Sequence, residues 1–180
     1  MKVTPTKLPG LLLIEPQLFS DARGFFFETW NEREFDRAGI RAKFVQDNHS
    51  RSEKGVLRGL HYQIRQPQGK LVRVTEGEIF DVVVDIRRSS PTFGKWESAR
   101  LSARSKSMLW IPAGFAHGFC IMSDFAEVLY KTTDFYATEH ERCILWNDPD
   151  VRIDWPISGV PVLSPKDAAG RRLRDAEVFP

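Results

Sequence analysis

The sequence predicts an all-β protein, an antiparallel sandwich or barrel. Three observations carry this: short runs rich in Val, Ile, Phe and Tyr recur along the chain, Gly, Pro and Asp punctuate them, and only one helix is well signalled. The runs are LLLIEPQLF, KFVQDNHS, VLRGLHYQI, KLVRVTEG, EIFDVVVDI, KWESARLS, SMLWIP, HGFCIM and EVLYKTTDFY. Strands at this spacing belong to two-layer or closed β architectures, not to alternating strand and helix units. With 180 residues, 42% of them hydrophobic, and 13 Phe and 5 Trp, the chain can bury one sizeable core and is read as one domain, residues 1–180.

Taken in order, the first runs are N-terminal strands that precede a helix over residues 32–38. Asn31 caps that helix, Glu34 stands where a capping-box acid belongs, and Gly39 ends it. It is expected as a surface cover. The core barrel runs from about residue 44 to 136. Within it Thr75-Glu76-Gly77-Glu78 and Pro112-Ala113-Gly114 read as hairpin turns. From about Asp148 the strands fade into Pro-punctuated coil, at Trp155-Pro156, Val160-Pro161 and Ser164-Pro165. Its apolar content predicts a tail that wraps the barrel. Residues 164–169, SPKDAA, read as one helical turn with proline near its start.

The 26 basic and 24 acidic residues are spread along the chain, so no field points to nucleic acid or an anionic membrane. Arg171-Arg172-Leu173-Arg174 is followed at once by Asp175 and Glu177 and reads as a solvated face. Cys120 and Cys143 belong to no C-x-x-C pattern, so neither a disulfide framework nor a zinc site is indicated, and both are expected as buried thiols. MKVTPTKLPG has no signal-peptide pattern, and no apolar stretch approaches a membrane span; the expected location is the cytoplasm.

Chemistry concentrates around LRGLHYQ, residues 57–63. Strand alternation turns Gly59, His61 and Gln63 one way and the apolar set Leu60, Tyr62 and Ile64 the other, so His61 faces the polar side, which in a barrel lines a pocket. Position alone favours a structural histidine over a catalytic one. In WIPAGFAHGF, P-x-G-x-x-H resembles the second motif of the cupin superfamily of double-stranded β-helix barrels. Metal-binding cupins join that histidine to an H-x-H and a glutamate, whereas here the earlier segment is His61-Tyr62-Gln63, with no acid before Glu76. Two histidines and an amide are too few donors for a firmly held transition metal, so no metal is expected and His61 is free for proton transfer. Its carboxylate partner is Asp167 or Asp81. In EIFDVVVDI, alternation puts Phe80, Val82, Val84 and Ile86 on the core face and Asp81 and Asp85 opposite; Asp85 is expected as a satisfied surface acid. Tyr130 and Tyr136 share a strand face and can supply a proton donor and an aromatic platform. A straight strand would hold them roughly 20 Å apart, which suits an elongated substrate.

Read in order, SDARGFFFETW, LRGLHYQ, Lys70, FDVVVDIR, SPTFGKW, IPAGFAHGF, YKTTDFY, DPDVRIDWP and LSPKDA resemble the dTDP-4-dehydrorhamnose 3,5-epimerase family across roughly nine tenths of the chain. The resemblance implies a metal-free, cofactor-free cupin-like jelly-roll barrel with a few short peripheral helices. It also implies a homodimer that epimerises dTDP-4-keto-6-deoxy-D-glucose at C3 and C5. It assigns His61 as base, Asp167 as its orienting acid, Tyr130 as proton donor and Tyr136 as the thymine platform. Substrate contacts fall on Arg23, Glu28, Gln46, Asp47, Asn48, Arg58, Lys70, His117, Glu141 and Lys166. Lys70 is the leading support for the enolate oxygen, with His117 held by Asp81 beside it. No nucleic acid or membrane partner is implied.

Strict alternation sets Arg58 on the face opposite His61, so both reach one substrate only if the strand bulges at Gly59, or if Arg58 rounds an edge or serves a neighbouring subunit. Arg23 and Glu28 pose the same difficulty, with Gly24 as the remedy. Three rivals stand beside the main reading: an epimerase acting at C3 or C5 alone, a metal-dependent cupin oxygenase using His61 and His117, and a binding barrel without catalysis.

Overall fold

The computed structural model describes all 180 residues. The chain forms β1 (Lys2–Pro5), β2 (Leu12–Glu15), β3 (Phe19–Asp21), β4 (Gly24–Phe26), α1 (Glu32–Arg37), β5 (Gln46–Glu53), β6 (Leu57–Gln63) and β7 (Lys70–Glu76). There follow β8 (Glu78–Asp85), β9 (Trp96–Ser102), β10 (Met108–Ile111), β11 (Phe115–Ile121), β12 (Phe125–Thr132), β13 (Glu141–Cys143) and α2 (Pro165–Ala168). Two large antiparallel sheets pack face to face: β1-β2-β10-β7-β12-β5 and β13-β6-β11-β8-β9, with β3 and β4 as a separate ribbon. This is the all-β, cupin-like jelly roll that the strand pattern and the family resemblance predict. No helix is long and apolar enough to cross a membrane.

The turns at Gly77 and Pro112-Ala113-Gly114 are not hairpins. β7 and β8 lie in different sheets, as do β10 and β11, so each turn carries the chain around a corner of the barrel. A glycine-bearing reversal serves hairpin and corner alike; what decides the pairing is which strand edges are free. β8 is covered on both faces and held between β11 and β9, while β7 is held between β10 and β12, so neither has a free edge for the other. At Gly77 φ is +75°, and an ideal Cβ would stand 2.1 Å from the Phe125 carbonyl oxygen, so the corner tolerates only glycine.

Three apolar layers result. Val72, Val74, Leu109 and Val128 of one sheet meet Ile79, Val83, Leu101 and Phe119 of the other inside the barrel. Ile14, Leu71 and Met108 on the outer face of the first sheet are covered by Phe35 of α1 and by Ile40. Asn31 caps α1 by accepting the Glu34 amide hydrogen, as its position in the sequence predicts. On the outer face of the second sheet Leu57, Leu60, Tyr62, Val82 and Val84 lie beneath Ile144, Val151, Trp155 and Leu173, so the tail wraps the barrel. It is pinned by polar contacts as well: the buried Asp148 accepts the Leu173 amide at 2.6 Å, and the Trp155 indole donates to the Trp146 carbonyl at 2.8 Å. Phe80, Val82, Val84 and Ile86 therefore face the tail layer.

Their neighbours Asp81 and Asp85 point into the barrel, and both are fully buried. Asp85 corrects the expectation of a surface acid. It is satisfied, but in the interior: Arg87 pairs with it at 2.7 Å, and the Ser90 and Thr92 hydroxyls each donate to it at 2.6 Å. Burial opposes its ionisation, but these donors outweigh burial and hold the carboxyl at about 2.

Candidate active site

A cavity of about 320 Å³ is lined from both large sheets. On β5 the even positions Gln46, Asn48 and Ser50 face it, while Asp47 turns outward to pair with Lys131 at 2.9 Å. On β6 the lining includes both Arg58 and His61, despite their opposite parity. The register explains this. Phe119 and His117 of β11 pair with Arg58 and His61, so two steps on β11 answer three on β6, and the extra residue is accommodated at Gly59-Leu60. Gly59 has φ +121°, and a Cβ there would stand 2.5 Å from the Gly118 Cα. The bulge at Gly59 is thus the resolution, and no edge detour or neighbouring subunit is needed to bring Arg58 to this cavity.

His61 Nε2 stands 2.5 Å from Asp167 Oδ1, leaving Nδ1 free. Asp167 arrives from α2, where Ser164 is both helix cap and partner: its hydroxyl donates to Oδ2 at 2.6 Å and accepts the Asp167 amide at 3.1 Å. The Gly59 amide adds a donor to Oδ1 at 3.2 Å. Burial raises the Asp167 carboxyl, but His61 and Ser164 outweigh it and hold it at about 2. Burial moves His61 below the usual histidine value, with Asp167 pulling the other way. The dyad is therefore a neutral imidazole backed by a carboxylate, the resting state that a general base requires.

Asp81 is not the partner of His61. It holds His117, at 2.8 Å from Nε2, and both are buried. Its other oxygen has no protein partner. Lys70 donates to the His61 carbonyl at 3.3 Å, and burial lowers its ammonium to about 8, against the pull of Asp81 and Glu141. Tyr130 stands on β12, in the sheet opposite the one that carries His61. Burial raises its phenol, with Arg58 and Lys166 acting against the rise. Arg58 is steadied by its Nε donating to the Ser52 hydroxyl at 2.9 Å.

Tyr136 does not continue the line of Tyr130. β12 ends at Thr132, the chain bends at Asp134, and both tyrosines line one cavity, so the 20 Å spacing of a straight strand does not apply. Tyr136 is half exposed; its hydroxyl donates to Glu141 at 2.7 Å, and Lys166 donates to the other Glu141 oxygen at 2.7 Å. Burial disfavours the Glu141 carboxylate, but Lys166 and Tyr136 outweigh it and lower its pKa.

Of the residues singled out in the sequence, Gln46, Asn48, Arg58, His61, Lys70 and His117 line the cavity, as do Tyr130, Tyr136, Glu141 and Lys166. Asp47 does not, because a strand's period of two turns it outward. Arg23 and Glu28 do not either. Arg23 pairs with Asp21 at 2.6 Å on the exposed β3-β4 ribbon, and Glu28 accepts from the Asn31 side chain at 3.1 Å. Ser50 and Gln68 also line the cavity without having been singled out, and two supporting residues were missed as well. Gln63, on the His61 face, donates to the Phe135 carbonyl at 3.2 Å and accepts from the Ala137 amide at 2.9 Å, clamping the segment that carries Tyr136. Ser164 was legible as the start of a helical turn but not as a partner of the Asp167 carboxylate.

A jelly-roll barrel with a carboxylate-backed histidine on one wall, a tyrosine on the other and a buried lysine beside them defines a site for proton transfer. The chain matches the family model described as dTDP-4-dehydrorhamnose 3,5-epimerase over residues 5–175. It is 62% identical to the dTDP-4-dehydrorhamnose 3,5-epimerase of Pseudomonas aeruginosa, with all of both chains covered. It also superposes on the crystal structure of the dTDP-6-deoxy-D-glucose-3,5-epimerase of Legionella pneumophila in complex with dTDP-4-keto-L-rhamnose. There the TM-score is 0.95 at 50% identity, covering 98% of this chain and 94% of that one. A 3′-monoepimerase from Streptomyces bikiniensis in complex with dTDP-quinovose aligns at TM-score 0.88 and 34% identity, over 94% and 87% of the two chains. The chain belongs to the dTDP-4-dehydrorhamnose 3,5-epimerase family.

Proposed function

We propose that the chain epimerises dTDP-4-keto-6-deoxy-D-glucose at C3 and C5 to dTDP-4-dehydro-L-rhamnose. The C4 ketone acidifies the hydrogens on both carbons. His61, backed by Asp167, removes a proton from one face, and Tyr130 returns one from the other with inversion. The enolate oxygen formed between these steps is stabilised by Lys70 and His117, in a site walled by both sheets. No electron pair passes to an acceptor, so the balance of the reaction requires no oxidant or reductant. The observation that carries the reading is the placement of the His61–Asp167 dyad and Tyr130 on opposing sheets around one cavity.

The other end of the cavity suits the nucleotide. Arg58 and Lys166 supply charge for the diphosphate, Arg58 through a fork that matches phosphate oxygens. Half-exposed Tyr136, clamped by Gln63 and Glu141, offers its ring to thymine. Arg23 and Glu28 lie outside this cavity, beside Phe19, Phe25 and Phe26, each of which is more than half exposed. Three such phenylalanines on one ribbon favour a covered surface, and the proposal includes a homodimer in which the ribbon brings Arg23 and Glu28 to the partner's site.

Turnover of the keto sugar in heavy water, read by NMR, tests the reaction. Deuterium at both C3 and C5 is the expected outcome. Label at one carbon would place the chain with the single-site epimerases, as the Streptomyces relative's name describes for that protein. No label would exclude enolisation.

A further inference from the structure

Cys143 was expected to be a buried thiol. Instead it is half-buried and is the register partner of His61 across the β13–β6 pair, so both side chains share the cavity face of the sheet. One imidazole nitrogen of His61, the Cys143 sulfur and a carboxylate oxygen of Asp167 all lie within 4.8 Å of one another. Nitrogen, thiolate sulfur and carboxylate oxygen together are the donor set of zinc and its softer congener cadmium, and three protein donors leave a fourth position for water or substrate.

We propose that His61, Cys143 and Asp167 form an inhibitory site for a thiophilic divalent ion of the zinc class. The inference rests on reading His61 and Asp167 as the reacting pair. The geometry fits inhibition better than a resident metal. Donors in a tetrahedral zinc shell stand roughly 3.3–3.8 Å apart, given metal–ligand bonds of about 2.0–2.3 Å. The farthest donors must therefore close by up to about an ångström, and the 2.5 Å His61–Asp167 contact must open by a similar amount. Binding releases the thiol proton to solvent and moves the imidazole proton from Nε2 to Nδ1, if Nε2 is the ligand. Either nitrogen leaves no lone pair for the substrate, so the ion and proton abstraction are mutually exclusive. Lys70 and Lys166 act electrostatically on His61 and oppose the added charge, which keeps the affinity below that of a structural zinc site.

The test uses the full chain after chelator treatment, with two readouts. Zinc titrated into the epimerisation assay is expected to inhibit reversibly, with activity restored by chelator. Cadmium titrated without substrate is expected to give the ultraviolet thiolate-to-metal band at one equivalent. Cys143→Ala is expected to turn over within about twofold of the parent, to raise the half-inhibiting zinc concentration at least tenfold, and to lose the band. Cys120→Ala, which removes a thiol on the tail-facing side, is expected to change neither readout. If Cys143→Ala folds poorly, Cys143→Ser preserves the volume and is expected to lose the band equally. Equal zinc inhibition of parent and Cys143→Ala, absence of the band, or a band without inhibition would each overturn the proposal. The cadmium band needs no turnover, so failure of the epimerase reading and failure of the metal site are separable.

Discussion

Asp167→Asn removes one charge while nearly preserving the shape of the dyad. In the native site the carboxyl sits at about 2 against an ordinary 3.8. That difference is worth about 2.4 kcal/mol in favour of the charged form, shared among His61, Ser164 and Gly59. The amide forfeits this preference, about 60-fold as an equilibrium. Part of that preference is the attraction between the carboxylate and the charged imidazole, the state formed once His61 has taken a proton, so the fall in kcat is on the order of 10²-fold, the lower end of the range for general-base catalysis. Substrate contacts remote from the dyad remain, so KM changes little. The pH profile adds a signed test. Burial lowers the pKa of His61 and Asp167 raises it, so removing the carboxylate lowers it further and the acid limb of kcat/KM moves to lower pH. Turnover is read by NMR of the sugar nucleotide across the acid range. A kcat within tenfold of the parent, or an acid limb displaced to higher pH, would refute Asp167 as the group that supports the base.

Other outcomes follow from the same geometry. Asp85→Asn is expected to lower stability at neutral pH by roughly 2 kcal/mol in urea denaturation. Because the folded-state pKa of Asp85 is depressed, this contribution is present above about pH 4 and fades as pH falls toward 2, so the two proteins converge in acid. Gly59→Ala forces a Cβ into Gly118 and a side chain into left-handed backbone; about 1–3 kcal/mol is expected from backbone strain alone, and an unchanged melting temperature would show that the bulge is not glycine-dependent. Trp155→Ala empties a buried site beneath the tail, at about 3–5 kcal/mol, and limited proteolysis is expected to cut the tail before the barrel.

What the sequence revealed depended on whether the information was local. Parity along β6 put His61 and Gln63 on the cavity face, because pleating alone sets that alternation. The same rule failed for Arg58, since a bulge is a property of two paired strands and only one was in view. Gly77 was legible as a chain reversal, but whether it made a hairpin or a corner depended on the distant strands that occupy the edges of β7 and β8. Asp85 was misplaced for the same reason: a charged residue next to Arg87 reads as solvated until the barrel closes over it. The Asp167 carboxylate stands 106 residues from His61 in sequence, a separation no periodicity spans, and only the family resemblance chose it over Asp81. Cys143 became significant only through its register opposite His61.

The distance in sequence between His61 and its carboxylate ties catalysis to the tail. Asp167 follows every strand of the barrel in chain order, and it reaches His61 through the packing of residues 144–173 over the outer face of the second sheet. A barrel with every strand paired but the tail undocked would still hold an unsupported imidazole. Chemical competence therefore depends on the docking of the tail, and turnover serves as a direct report of a docked tail.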